Sequence, residues 1–396
     1  MSVVAAKGFR AAGVWAAIKG SGKPDLTLIV SDYPASAAGV FSANRFRGTD
    51  VELDVARLRA TGGRARAIVA TSGYANTLTG AGGRRDALAI GRAAARMLKI
   101  PEREMLVSST GAIGYRLPVP RVIRGLRKAV RSLAATKEAG AAAARGIMTT
   151  DTHPKLAEAK FADGGSVFTV GGIAKGVWMV APSMATILVY LTTDARIAPP
   201  VLRRALVEAC ADTLNAITVD GQMSTNDTAI ILANGAAARR PLSAAGVRRF
   251  TAALHEVCAA LAHSLVADGE GATRLIRVTV TGARTAREAA LAARSVADSA
   301  LVKTMFYGRQ ANWGRIAQAL GASGARFDPL EVRVRVGGFP AIRGGCLVKP
   351  RFELFSRLAE SEVPVEIDLG AGRGRASVLT CDLTERYVRI NAGYLS

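Results

Sequence analysis

The sequence predicts a mixed α/β protein, and three observations carry that expectation. Short β-branched runs alternate along the chain with long Ala-rich stretches of helical periodicity. Hydrophobic residues make up 49% of the 396 positions but aromatics only 5%, so the core has to be built mainly from Ala, Val, Leu and Ile. Glycine occurs 41 times, enough to separate many short elements by tight turns.

Strands are expected at residues 26–31, 67–71, 105–109, 166–170, 186–192, 228–233, 275–280 and 332–336, where β-branched and aliphatic side chains cluster. Helices are expected between them, most clearly at 84–98, 201–214, 244–266 and 286–297. The segment 121–131 reads as an amphipathic helix. Val122, Ile123, Leu126 and Val130 form its apolar stripe, and Arg121, Arg124, Lys128 and Arg131 its solvated face. The Gly/Pro-rich stretch 337–345 reads as a loop. No fixed-period repeat or low-complexity linker interrupts this order, and no shift in composition marks a domain boundary.

Composition narrows the function classes. The first twenty residues lack the continuous apolar core of a signal peptide, so a cytoplasmic location is expected. No charge-free apolar run of about 18 residues is present, so neither a spanning helix nor a membrane partner is expected. Cys210, Cys258, Cys346 and Cys381 are far apart without CxxC spacing, which points to reduced, mostly buried thiols and to no metal site. A net charge of +22 raises nucleic-acid binding as a rival class. Its distribution argues against that. Adjacent basic residues come in pairs such as Arg84-Arg85 and Arg248-Arg249, with no basic arm and no interleaved aromatics. The same field suits anionic metabolites equally well.

The segment Lys175 to Leu188, KGVWMVAPSMATIL, joins a lysine, a turn at Pro182 and a threonine that opens a β-branched strand. A threonine at the head of a strand is ordinary on its own. The segment VSSTGAIG ends a predicted strand in Thr110-Gly111, where glycine allows close backbone approach to a ligand. That too is ordinary when taken singly.

Together these segments resemble the ornithine acetyltransferase family. KGVWMVAPSMATIL is similar to its self-processing site, and further similar stretches follow the family's order along nearly the whole chain: SDYPASAAGVFSANR, SGYANTLTG, VSSTGAIG, MTTDTHPK, DGQMSTNDT, DGEGATRL, LVKTMFYGRQANWGRI and CDLTERYVRINAGYLS. The resemblance implies a layered α/β sandwich cleaved by itself between Ala185 and Thr186. Residues 1–185 would form an α chain and 186–396 a β chain, interlocked and paired into an (αβ)2 heterotetramer. Thr186 would be the nucleophile, its new α-amine the base. Thr110 and Gly111 would form the oxyanion hole. Substrate contacts would fall to Thr152, Lys175, Thr186, Glu270, Asn391 and Ser396.

The activity implied is transfer of acetyl from N-acetylornithine to glutamate in arginine biosynthesis. No metal or cofactor is required, and acetyl-CoA stands as a further acetyl source. The alternative is a related N-terminal-threonine acyltransferase or hydrolase of another pathway. Departures from the family pattern bear on that choice: Tyr74, Val177, Trp178, Gln310 and Ala311 replace its usual residues, and Ser396 stands where threonine is typical. His153 is expected to be peripheral, because the α-amine already serves as base. His255 and His263 fall in a helix pattern.

Overall fold

The computed structural model describes residues 2–177, 179, 187–238 and 240–393. They form two compact units, the first running to Asn215 and including Met223–Leu265, the second comprising Ala216–Gln222 and residues 266–393.

The first unit contains strands β1 (Phe9–Val14), β2 (Leu26–Phe41), β3 (Arg64–Tyr74), β4 (Met105–Ala112), β5 (Lys155–Asp163), β6 (Ser166–Lys175), β7 (Leu188–Thr193) and β8 (Thr228–Ala233). Helices α1 (Thr49–Ala60), α2 (Gly80–Leu98), α3 (Val119–Arg131), α4 (Lys137–Ile147) and α5 (Pro199–Ala211) belong to it, and α6 (Ala244–Ala267) supplies most of its length. One mixed sheet runs in the order β4-β3-β2-β8-β7-β6-β5, with β1 paired to β2. Alternation sorts its side chains onto two faces. Leu26, Leu28, Val30, Val69 and Val107 cluster with Ile90 of α2 and Leu126 of α3. Ile29, Ile68, Leu106, Ile173 and Tyr190 cluster with Ala143, Ala144 and Ile147 of α4. Helices therefore cover both faces, and the small residues of α4 let it lie close. The Thr136 hydroxyl caps that helix by accepting from the Ala139 N–H at 3.2 Å.

The long apolar α6 has the length and composition of a membrane span. Its Phe250, Leu254, Val257, Cys258 and Leu261 are instead buried in the protein, and Val257 and Leu261 pack over Gly172 of β6.

The second unit is built on the sheet β12-β11-β10-β13-β9-β14. Its strands are β9 (Leu275–Ala283), β10 (Arg333–Val336), β11 (Phe339–Arg343), β12 (Cys346–Leu347), β13 (Glu362–Asp368) and β14 (Gly374–Cys381). Helices α7 (Ala286–Asp298), α8 (Ala300–Tyr307) and α9 (Gly314–Gly321) bury Ala293, Val296, Phe306 and Ile316 in one core with the sheet's Val278, Val334 and Val365. Helices α10 (Phe352–Arg357) and α11 (Glu385–Gly393) complete it.

The expected elements are present, most of them longer than anticipated. The strand expected at 26–31 continues to Phe41 past a register shift between Val30 and Ala35. The loop expected at 337–345 is corrected to strand. Gly337-Gly338 joins Val336 to its partner Phe339, and Gly344-Gly345 joins Arg343 to Cys346. All four glycines have φ between +56° and +83°, the left-handed backbone that two-residue hairpin turns demand. The expected strand start at Thr186 lies outside the described residues, and β7 is described from Leu188.

Candidate active site

In the first unit, β3 and β4 run parallel and end side by side, with Ser72 opposite Thr110 and Gly73 opposite Gly111. Gly111 has φ +128°, and a Cβ there would lie 2.3 Å from the carbonyl carbon and oxygen of Gly73. The two strand ends meet this closely because Gly111 carries no side chain; a Cβ on Gly73 would instead crowd Ile18 and Lys19. The turn expected at Thr110-Gly111 is corrected to strand, since both residues pair with β3 inside β4, and Thr110 is buried there.

Lys175 ends β6 with no exposed surface, and its Nζ donates to Thr110 Oγ1 at 3.3 Å. Its burial sets it apart from the solvated lysines of a basic surface, and a buried ammonium needs compensation. Asp151 supplies it. One carboxylate oxygen accepts from Lys155 Nζ at 2.8 Å and from the Gly176 N–H at 2.9 Å. The other accepts from the Thr149 N–H at 3.0 Å. Burial pushes the Asp151 acid up, but the ammonium groups of Lys175 and then Lys155 outweigh it and hold the pKa at about 2. A buried ammonium beside the Thr110 hydroxyl suits a substrate carboxylate. Burial lowers Lys19 to about 8 against the opposing pull of Asp25, and Lys175 lowers it further. Lys19 Nζ donates to the Met148 carbonyl at 2.8 Å.

Thr110, Gly111 and Lys175 line a small cavity together with Thr149, Thr225 and Asn226. Among the described residues, the buried Thr149 hydroxyl has no hydrogen-bond partner. Beside Thr110 in β4, Ser109 donates to one oxygen of Asp50 at 2.7 Å and Asn226 donates to the other at 3.1 Å. Burial raises Asp50 to about 6. This network fixes α1, the end of β4 and the approach to β8 to one another. The Ile187 N–H donates to Asp227 at 3.0 Å.

In the second unit, Glu270 is buried and accepts from Asn391 Nδ2 at 2.7 Å. Asn391 also donates to the Tyr387 carbonyl at 3.0 Å, and the Tyr387 hydroxyl donates to Asp220 at 3.2 Å. The structure thus brings together Thr110, Gly111 and Lys175 in one unit and Glu270 and Asn391 in the other. Thr152 lies on an exposed turn with its hydroxyl 2.9 Å from His153 Nδ1, and Thr149 from the same motif faces the cavity instead. Ala185, Thr186, Ser396 and Trp178 lie outside the described residues. Val177 is fully buried, and the Tyr74 ring stands 5.7 Å from that of Tyr115.

Sequence reasoning passed over Asp50, Asp151, Thr149 and Asp227. MTTDTHPK did hold one usable signal, an aspartate and a lysine four residues apart, which lie at the start of β5, a strand the sequence reading did not expect. The cysteines are free, with Cys346 exposed and the others buried. His255 pairs with Asp212 at 3.2 Å on the helix surface. Among the described residues no cluster of His, Cys, Asp and Glu could hold a metal ion.

The model of the ArgJ family matches residues 10–396. The arginine biosynthesis bifunctional protein ArgJ of Geobacter sulfurreducens is 46% identical over 393 residues, covering 98% of this chain and 99% of its own. Its counterpart from Thermus thermophilus is 44% identical over 394 residues, covering 100% of both chains. Among solved structures, the arginine biosynthesis bifunctional protein ArgJ of Bacillus halodurans is similar at 39% identity and a TM-score of 0.50. That match covers 52% of this chain and 98% of the solved one.

Proposed function

Because the chain belongs to the ArgJ family, we propose that it is an acetyltransferase of arginine biosynthesis, moving acetyl from N-acetylornithine to glutamate through an acetyl-Thr186 intermediate. The observation that carries the reading is the buried Lys175 donating to Thr110 beside the left-handed Gly111. A cation, a hydroxyl and a glycine backbone converge where sheet strands end, as an acyl-transfer site requires.

The precursor cleaves itself. Thr186 Oγ attacks the Ala185 carbonyl carbon, the C–N bond breaks as the nitrogen takes the hydroxyl proton, and an ester forms. Water hydrolyses that ester to an Ala185 carboxylate and a Thr186 with free hydroxyl and amine. The coverage of the Bacillus halodurans chain supports this step: 98% of it aligns with only 52% of this chain, so it is about half as long, as one product of such a cut would be.

In turnover the α-amine takes the hydroxyl proton, Oγ attacks the acetyl carbonyl, and Thr110 and Gly111 donate to the oxyanion. Ornithine leaves by its amine, and the glutamate amine attacks the ester in turn. Lys175 meets the substrate carboxylate, and Glu270 with Asn391 meets the cationic end of ornithine. Thr152 and Ser396 complete the substrate contacts, acetyl-CoA is a second acetyl donor, and the cut chains pair as an (αβ)2 heterotetramer in the cytoplasm. Intact-mass analysis of protein made in a foreign host tests the reading, with two fragments expected and Thr186→Ala left uncut. A single uncut wild-type chain that still transferred acetyl would overturn it. A cut enzyme that ignored N-acetylornithine would move the assignment to another acyl substrate.

A further inference from the structure

We propose that Tyr387 is a positioning residue for the cationic end of the substrate: anchored on Asp220, it sets where Glu270 is held, and with that the side-chain length of the diamino acid the site prefers. The inference deepens the reading of Glu270 given above and rests on it.

All the groups concerned belong to the second unit. Asp220 lies in the short segment Ala216–Gln222, which is laced to β14. The Thr218 N–H donates to the Leu379 carbonyl at 3.0 Å, and the Leu379 N–H donates to the Ala216 carbonyl at 2.9 Å. Two donors fix the Asp220 carboxylate in its turn, the Gln222 N–H on Oδ1 at 3.1 Å and the Tyr387 hydroxyl on Oδ2 at 3.2 Å.

Asn391 stands about one helical turn beyond Tyr387, roughly 6 Å along the axis of α11. Its amide nitrogen donates to the Tyr387 carbonyl at 3.0 Å and to Glu270 Oε2 at 2.7 Å, which engages both of its hydrogens. The plane of that amide therefore ties the glutamate oxygen to the backbone of Tyr387. A neutral amide orients the Glu270 carboxylate without neutralising it. On the other side of the acid, the Gly271 carbonyl accepts from Thr384 Oγ1 at 2.8 Å. Gly271 has φ +76°, and a Cβ there would lie 2.7 Å from the Tyr387 nitrogen. The first turn of α11 thus rests directly on the residue beside Glu270.

Helix α11 buries no residue. Polar contacts rather than packing give it its place, and hydrogen bonds fix direction where apolar burial does not. Burial, and then Asp220 and Glu270, hold the Tyr387 phenol well above its ordinary value, so it remains a donor at neutral pH. The relay from Asp220 through Tyr387 and Asn391 to Glu270 acts as a ruler. An ammonium at the end of a side chain meets a fixed carboxylate at one chain length, and a methylene too many or too few is worth roughly 10- to 200-fold in a fitted pocket.

The test compares kcat and KM of the cut enzyme for N-acetylornithine and for the α-N-acetyl homologues with one methylene fewer, diaminobutyrate, and one more, lysine, with glutamate as the acceptor control. Tyr387→Phe should raise KM for N-acetylornithine about tenfold at nearly unchanged kcat and narrow its preference over both homologues by about fivefold or more, while KM for glutamate stays within about twofold. Asp220→Ala should do the same, and the double variant should be no worse than either single one, because the two side chains act through one contact. Asp220→Asn keeps an acceptor oxygen and should restore most of the preference. A Tyr387→Phe enzyme with the wild-type preference overturns the proposal even if it melts earlier, since the contact would then serve stability alone. Additive losses in the double variant overturn it too. Should circular dichroism show Tyr387→Phe unfolded, Asp220→Ala decides by the same ratios. A wild type that stays uncut or ignores N-acetylornithine removes the reading of Glu270 and this proposal with it; one that prefers N-acetylornithine, beside an unaltered Tyr387→Phe, removes this proposal only.

Discussion

The polar cluster at the sheet end of the first unit and the one on α11 of the second are held by opposite means. Thr110, Gly111, Lys175 and Asp151 sit on or beside strand ends, and each of the three side chains has a hydrogen-bonded partner within a buried setting. Glu270 is buried too, but its partner Asn391 belongs to a helix without a single buried residue, tied down by polar contacts such as that of Tyr387 with Asp220. A group fixed by a sheet has one position and fails outright when disturbed. One fixed by a surface helix can be retuned in small steps, because helix ends open locally at little cost. Chemistry common to both half-reactions suits the first kind of support, and discrimination between ornithine and glutamate suits the second.

The sharpest way to break this contrast is Gly111→Ala. With φ at +128° and the carbonyl of Gly73 only 2.3 Å from the new Cβ, the strand end has to move. Acetyl transfer should fall by about a thousandfold or more, with a lower melting temperature. Near-wild-type turnover would show that the close approach of the two glycines is incidental. Thr110→Ala should cost about 3 kcal/mol of transition-state stabilisation, roughly a hundredfold in kcat in both half-reactions, which single-turnover acetylation and deacetylation can separate.

Next in size is the acid behaviour of Asp151. Its pKa is depressed from 3.8 to about 2, so its contribution to stability is complete above 3.8 and is lost as pH falls toward 2. The amount is about 2 kcal/mol by linkage. Denaturant titrations at pH 5 and pH 2 should show this loss in wild type and a smaller one in Lys155→Met, which removes a direct ammonium partner. The smallest effect is expected on the helix-supported side. Glu270→Gln keeps the shape and the contact with Asn391 but loses the charge, so KM should rise about tenfold for N-acetylornithine and less for glutamate. Equal changes for both substrates would break the proposed division of labour.

How far the sequence foretold this differs between the same two regions. The Thr-Gly end of β4 was legible because a glycine closing an apolar strand has a local cause. Strands of β-branched residues and Ala-rich helices were legible for the same reason. The burial of Lys175 was not, since its compensating carboxylate lies on a different loop at Asp151. Asp50 and Asp227 were hidden likewise, their partners Ser109, Asn226 and Ile187 being distant in sequence. The two Gly-Gly hairpins of the second unit carried a plain signal that compositional reading as a loop passed over. Glu270 and Asn391 were named from resemblance alone, and their mutual contact was not foreseen.

The position of β7 and β8 in the first sheet has a consequence for a chain divided at residue 186. Both strands follow that point in sequence, yet they lie between β2 and β6, which precede it. The fragments could then part only by unzipping the sheet along two internal seams, β2 from β8 and β6 from β7. Intact chains refold in a first-order reaction. Divided ones must first find each other, so refolding becomes second order and the melting temperature rises with protein concentration. A cut at that point that left the native contacts untouched would thus make dilution a denaturing condition.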